Sequence, residues 1–85
     1  MVRIINNSNF QLHFDNGYIL SVSCGYNPPT MENRAETVEV GIWTELEGKR
    51  FWKTHEFLDT NNNVGVGITV DELADIIKKV KEMEE

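Results

Sequence analysis

Eighty-five residues with 40% apolar and 26% charged side chains describe one soluble-type globular domain, too small to bury more than about 60–65% of the surface its unfolded chain exposes. Fourteen acidic residues against eight basic ones give a net charge of -6, which argues against general affinity for nucleic acid. A single cysteine, Cys24, excludes an internal disulfide and a multi-cysteine zinc site.

The start Met-Val-Arg-Ile-Ile lacks a signal peptide's apolar segment and cleavage site, and no apolar run is long enough to span a bilayer. The expectation is a cytosolic protein with no membrane partner. A homodimer that buries one more apolar face would suit a domain of this size.

Phe10-Gln11-Leu12-His13-Phe14 alternates apolar and polar, as a half-buried strand does. Asp15-Asn16-Gly17 is a turn signal, and Tyr18 to Cys24 resumes the extended pattern, giving a hairpin over 10–24. A two-residue Asn-Gly loop would set Phe14 opposite Ile19 and scatter the large residues over both faces. A three-residue loop, with Gly17 in a left-handed bulge position, sets Phe14 opposite Tyr18, Leu12 opposite Leu20 and Phe10 opposite Val22. That register collects every large residue except Ile19 on one face, and it is the expected one. Gln11, His13, Ser21 and Ser23 then share the second face.

Residues 25–36 show no period, and Pro28-Pro29 cannot occupy a central strand. This loop carries Tyr26, Asn27 and Arg34. Long irregular loops in small domains either carry function or simply connect, and both readings stand. A second hairpin is expected over 37–57. Its first strand is Thr37 to Thr44, the chain turns at Glu45-Leu46-Glu47-Gly48, and Lys49 to Phe57 forms the fourth strand. Asp59 to Asn63 is a polar loop, and Val64 to Ile68 is either a short fifth strand or an extended lead-in.

The helix start is the best-specified point. Thr69-Val70-Asp71-Glu72 has the capping-box pattern, with Ile68 and Leu73 placed as a hydrophobic staple. Leu73, Ile76, Ile77, Val80 and Met83 recur at helical spacing, so a helix over 70–83 presents one apolar stripe to the sheet. The fold class is therefore α+β: an antiparallel sheet of four or five strands with one C-terminal amphipathic helix on one face.

No catalytic or metal motif stands out. His13 and His55 lack metal-ligand spacing, nothing sets a base beside Cys24, and Gly65-Val66-Gly67 lacks the context of a phosphate-binding loop. The expectation is a protein that is not an enzyme and uses no cofactor. The aromatics point instead to binding. Strand neighbours face opposite ways, so one tryptophan is expected under the helix and the other on the second face near Lys49, Arg50 or Lys53. An exposed tryptophan beside cations can anchor a partner or stack a base; the blander alternative is a ring covered by lysine stems. The candidate binding residues are Tyr26, Asn27, Arg34, Trp43, Arg50, Trp52 and His13. A third feature is the acidic stretch Glu32, Glu36, Glu39, Glu45 and Glu47. It is either a solvated face with cross-strand ion pairs or a surface that mimics nucleic acid toward a basic partner.

Three segments carry a resemblance: Phe14-Asp15-Asn16-Gly17-Tyr18-Ile19-Leu20-Ser21-Val22, then Gly25-Tyr26-Asn27, then Glu39-Val40-Gly41-Ile42-Trp43, with Val70-Asp71-Glu72-Leu73-Ala74 closing the pattern. Together they resemble a family of small proteins from tailed-phage and prophage genomes. The sequence departs from that pattern at Pro28-Pro29 and at Gly41, where the family usually has alanine. The resemblance implies a phage accessory protein in the host bacterial cytosol and brings no catalytic residue with it. By analogy with other small acidic phage proteins, the implied role is counter-defence: binding a host immune protein or sequestering a small nucleotide signal. The alternative is a structural or assembly component of the phage particle.

Overall fold

Asp15-Asn16-Gly17 makes the three-residue loop that the apolar pattern requires. In the computed structural model, which describes residues 1–6, 8–23 and 37–84, Phe14 N donates to Tyr18 O at 2.9 Å and Gly17 N to Phe14 O at 3.1 Å. Gly17 has φ +91°, the left-handed bulge conformation that a Cβ would strain. Strands β1 (Val2–Asn6), β2 (Asn9–His13), β3 (Tyr18–Ser23), β4 (Val38–Leu46), β5 (Lys49–Trp52) and β6 (Gly65–Ile68) form one antiparallel sheet, followed by helix α1 (Val70–Glu82). Phe10 pairs with Val22 and Leu12 with Leu20, the expected register.

That register divides the sheet. Tyr18, Leu20, Val22, Val40 and Ile42 are buried on one face with Ile68 and with Ile76 and Val80 of α1, while Phe10, Leu12 and Phe14 pack against them. Burying a side chain such as Leu20 or Val80, each 0% exposed, stabilises the fold by roughly 1.5–3 kcal/mol. The helix is held at both ends. Thr69 Oγ1 accepts from Glu72 N while Glu72 Oε1 accepts from Thr69 N, closing the capping box. At the other end Asn16 Nδ2 donates to Val80 O and to Met83 O, both at 2.8 Å, and Asn16 Oδ1 accepts from Tyr18 N. The turn residue of the first hairpin is thus also the clasp on the helix C-terminus.

Two features differ from the expectations, and a third decides between alternatives. The first is β1, which pairs antiparallel with β2 although all its residues are exposed, Val2 and Ile4 included. It has no buried face and so no burial pattern to read; it is held through its backbone, including Met1 N to His13 O and His13 N to Met1 O. The second is the fourth strand, which ends at Trp52 and not at Phe57. Lys53 N turns inward to Ile42 O at 2.7 Å, and Thr54–Glu56 forms a single 3₁₀ turn. The third is the edge of β4 that this turn leaves open. It is completed by β6, Gly65–Ile68, where Val38 pairs with Ile68 and Val40 with Gly65, which decides for the strand between the two expected alternatives.

Between β5 and β6, Ile42 has no strand opposite it. Thr54 fills that position with its side chain: Oγ1 accepts from Ile42 N at 2.9 Å and lies 2.8 Å from Asn63 O, to which it donates. Among the described residues Thr54 is the only buried polar side chain, at 0% exposure.

Two measurements follow. Thr54→Val keeps the shape but leaves the buried Ile42 N–H without a partner, so it should destabilise the fold by roughly 1–3 kcal/mol in denaturant titration. The bond from Thr69 N, and secondarily that from its hydroxyl, holds the Glu72 carboxyl below the usual glutamate range. Its stabilisation is therefore fully present above the ordinary glutamate pKa and is lost as pH falls through the lowered value. The difference in Tm between wild type and Glu72→Ala should shrink across that acid range and stay constant above it.

Candidate functional site

The two-residue turn at Glu47 and Gly48, with φ +52° and +79°, fixes the register of β4 against β5. Leu46 pairs with Lys49, Glu45 with Arg50, Thr44 with Phe51 and Trp43 with Trp52. Trp43 and Trp52 therefore share the face turned away from α1. This corrects the expectation that one tryptophan packs under the helix. Strand alternation does separate Trp52 from Phe51, but the cross-strand pairing brings the two indoles together.

Their ring centroids are 5.3 Å apart at 61°, an edge-on pair. Trp43 is 3% exposed although it lies outside the main core. Ile19, its cross-strand partner, is equally buried, and Trp43 Nε1 donates to Glu45 Oε1 at 3.2 Å. Trp52 is half-buried. The Arg50 guanidinium lies 4.1 Å from the centroid of the Trp43 ring and 5.2 Å from that of Trp52. Among the described residues no carboxylate pairs with it. An exposed cation–π contact is worth about 0.5–1 kcal/mol, so the guanidinium can be drawn onto an external anion at small cost.

Beside this cluster runs an open groove of about 240 Å³, lined by Gln11, Ser21, Gly41, Trp43, Arg50 and Trp52 together with Asn9, Ser23, Glu39, Val40 and Val64. The pairing explains its shape. Gln11, Ser21 and Gly41 are successive cross-strand partners, so a row of small and polar residues lies next to the row Ile19, Trp43 and Trp52. Gly41 makes the trough possible: a Cβ there would lie 3.2 Å from Trp52 Cζ3 and 3.4 Å from Asn63 O, the oxygen held by Thr54.

Three of the candidate residues, Trp43, Arg50 and Trp52, are thus brought together. His13 shares the face but not the groove; its Nε2 lies 3.0 Å from Gln11 Oε1, so it touches the site through a residue that lines it. Tyr26, Asn27 and Arg34 fall outside the described residues, as do Cys24, Glu32 and Glu36. Of the remaining acidic stretch, Glu39 is among the residues that line the groove, Glu45 is engaged by Trp43, and Glu47 is in the turn. Gln11 and Ser21 stand on the second face that the hairpin register sets apart, and the pairing of β3 with β4 adds Gly41 to their row. His55 is exposed on the 3₁₀ turn, and no group of three or more metal-ligating side chains occurs among the described residues.

Gly41→Ala should push Trp52 outward, because Asn63 O is fixed and the half-exposed indole is free to tilt. The expected result is an altered near-ultraviolet circular dichroism of the tryptophan pair and a red-shifted emission with little change in stability, since a ring that yields by a few tenths of an ångström relieves the contact. Comparison of the chain with protein-family models, with curated proteins and with solved structures returned no match, so the reading of this groove rests on its own chemistry.

Proposed function

We propose that the chain is a non-enzymatic binding protein of the phage accessory kind its sequence resembles, acting as a counter-defence inhibitor that holds a host protein against the second face of its sheet. The observation that carries this reading is Arg50, a cation stacked on Trp43 beside the half-exposed Trp52 and without a carboxylate partner among the described residues. Tryptophan and arginine are the residue types most enriched among those that dominate binding energy at protein interfaces.

The size of the groove favours a protein over an engulfed small molecule. Sites that enclose ligands measure about 300–1,000 Å³. At about 240 Å³ and open to solvent, this groove takes a protruding side chain and leaves the rest of the partner on the surrounding sheet. Asn9, Gln11 and Ser21 line it with polar side chains that suit a polar edge on the partner. Sequestering a nucleotide is the second reading, favoured by the same pair of groups: a base stacks on Trp52 while a phosphate draws Arg50 off the indole. The base would fit the trough and the remainder would lie outside it.

Capture of a binding protein from host bacterial lysate, with calorimetry against nucleotide second messengers in parallel, tests both. Trp52→Ala and Arg50→Glu should each weaken the interaction by roughly tenfold or more, the scale of an interface residue worth over about 1.4 kcal/mol. Finding no binder of either class, or a binder indifferent to both substitutions, would overturn the proposal.

A further inference from the structure

The sequence contains one Asn-Gly pair, Asn16-Gly17, and the fold makes its asparagine the clasp between the first hairpin and the helix. We infer that Asn16 is a site of spontaneous deamidation that the folded state suppresses, and that its modification irreversibly releases the C-terminal end of α1.

In this reaction the Gly17 backbone nitrogen, losing its proton, attacks Asn16 Cγ. A C–N bond closes a succinimide and the side-chain nitrogen leaves as ammonia. Water then opens either ring carbonyl, giving an aspartyl or an isoaspartyl residue at position 16. The net change is one water consumed and one ammonia released, with no oxidant or cofactor. Glycine in the second position favours the attack because no side chain obstructs the approach.

Each atom the reaction needs is engaged in the native structure. Gly17 N donates to Phe14 O at 3.1 Å. Asn16 Nδ2 is held by two helix carbonyls at 2.8 Å, and Oδ1 by Tyr18 N at 3.1 Å. Attack therefore requires the clasp and the turn to open first, which ties the rate to a local opening equilibrium.

Once formed, the product cannot close the clasp again. An aspartyl carboxylate keeps the acceptor for Tyr18 N but has no proton to offer Val80 O or Met83 O. It would instead set a negative charge against the carbonyl end of the helix, where the dipole is also negative. An isoaspartyl linkage adds a backbone atom to the loop and disturbs the hairpin register as well. Val80, fully buried beside that helix end, loses its anchor in either case.

The test is to incubate the full chain at mildly alkaline pH, folded and in denaturant, following ammonia release and mapping isoaspartate by mass spectrometry. Deamidation at position 16 should be slower in the folded chain by roughly tenfold or more. Deamidated protein separated from folded wild type by anion exchange should melt below the parent, and so should Asn16→Asp. If Asn16→Asp does not fold, the separated material alone carries the comparison. Equal rates in folded and unfolded chains would overturn the protective role of the clasp. An unchanged melting temperature of the deamidated protein would overturn the release of the helix.

Discussion

The Thr54 hydroxyl bridges the gap between two strands that share one edge of β4. One edge of β4 pairs with β3 from Glu39 to Thr44, but its other edge is shared between β5 and β6, which approach from opposite ends. The gap falls at Ile42, whose backbone N–H is buried and has no strand to receive it. A single side chain accepts from that N–H and donates to Asn63 O, joining the end of β5 to the loop that leads into β6. Without that bridge the low dielectric of the interior would charge the full desolvation of an unpaired donor against the fold. The placement of the Asn63 carbonyl beside Gly41, the start of β6 and the entry to α1 all follow from this junction.

The two faces of the sheet are then set to different tasks by strand periodicity alone. Residues one step apart in β3 and β4 go either to the helix side, where Leu20, Val22, Val40 and Ile42 make the core, or to the side with Ser21, Gly41 and Trp43. The second side is unusual because its apolar part is concentrated. Ile19 and Trp43 are buried there, with the Arg50 guanidinium over the Trp43 ring and Trp52 edge-on to it, and the neighbouring row is kept low and polar. That contrast between a tall aromatic row and a shallow polar one creates the groove.

Much of this was legible in the residues. The hairpin register followed from asking which loop length keeps Phe10, Leu12, Phe14, Tyr18, Leu20 and Val22 together, and the helix start from its capping box. The pairing of Trp43 with Trp52 was also within reach, since counting back from a two-residue Glu47-Gly48 turn yields it. A turn spread over all four residues Glu45 to Gly48 hides that pairing, because it leaves the register of the two strands open. Other features left no local trace. An exposed strand such as β1 has no buried face to mark it. The end of β5 at Trp52 depends on a hydroxyl reaching a backbone group twelve residues earlier in the chain. The second role of Asn16 is likewise invisible locally, because its partners are 64 and 67 residues away.

The outward edge of β1 has a consequence for how this molecule behaves among its own copies. Met1 and His13 exchange both backbone bonds, so by the alternation of an antiparallel ladder Val2 and Ile4 direct theirs away from the sheet. A second copy approaching antiparallel could match all four of those groups only by setting Arg3 directly opposite its twin, and like charges facing each other oppose the pairing. The irregularity between Ile4 and Asn6 shortens the available template further. At the far side of the sheet the short strand β5 carries Lys49 and Arg50. In a chain of net charge -6, three of its eight cations thus stand on outer strands where sheets would otherwise grow into aggregates.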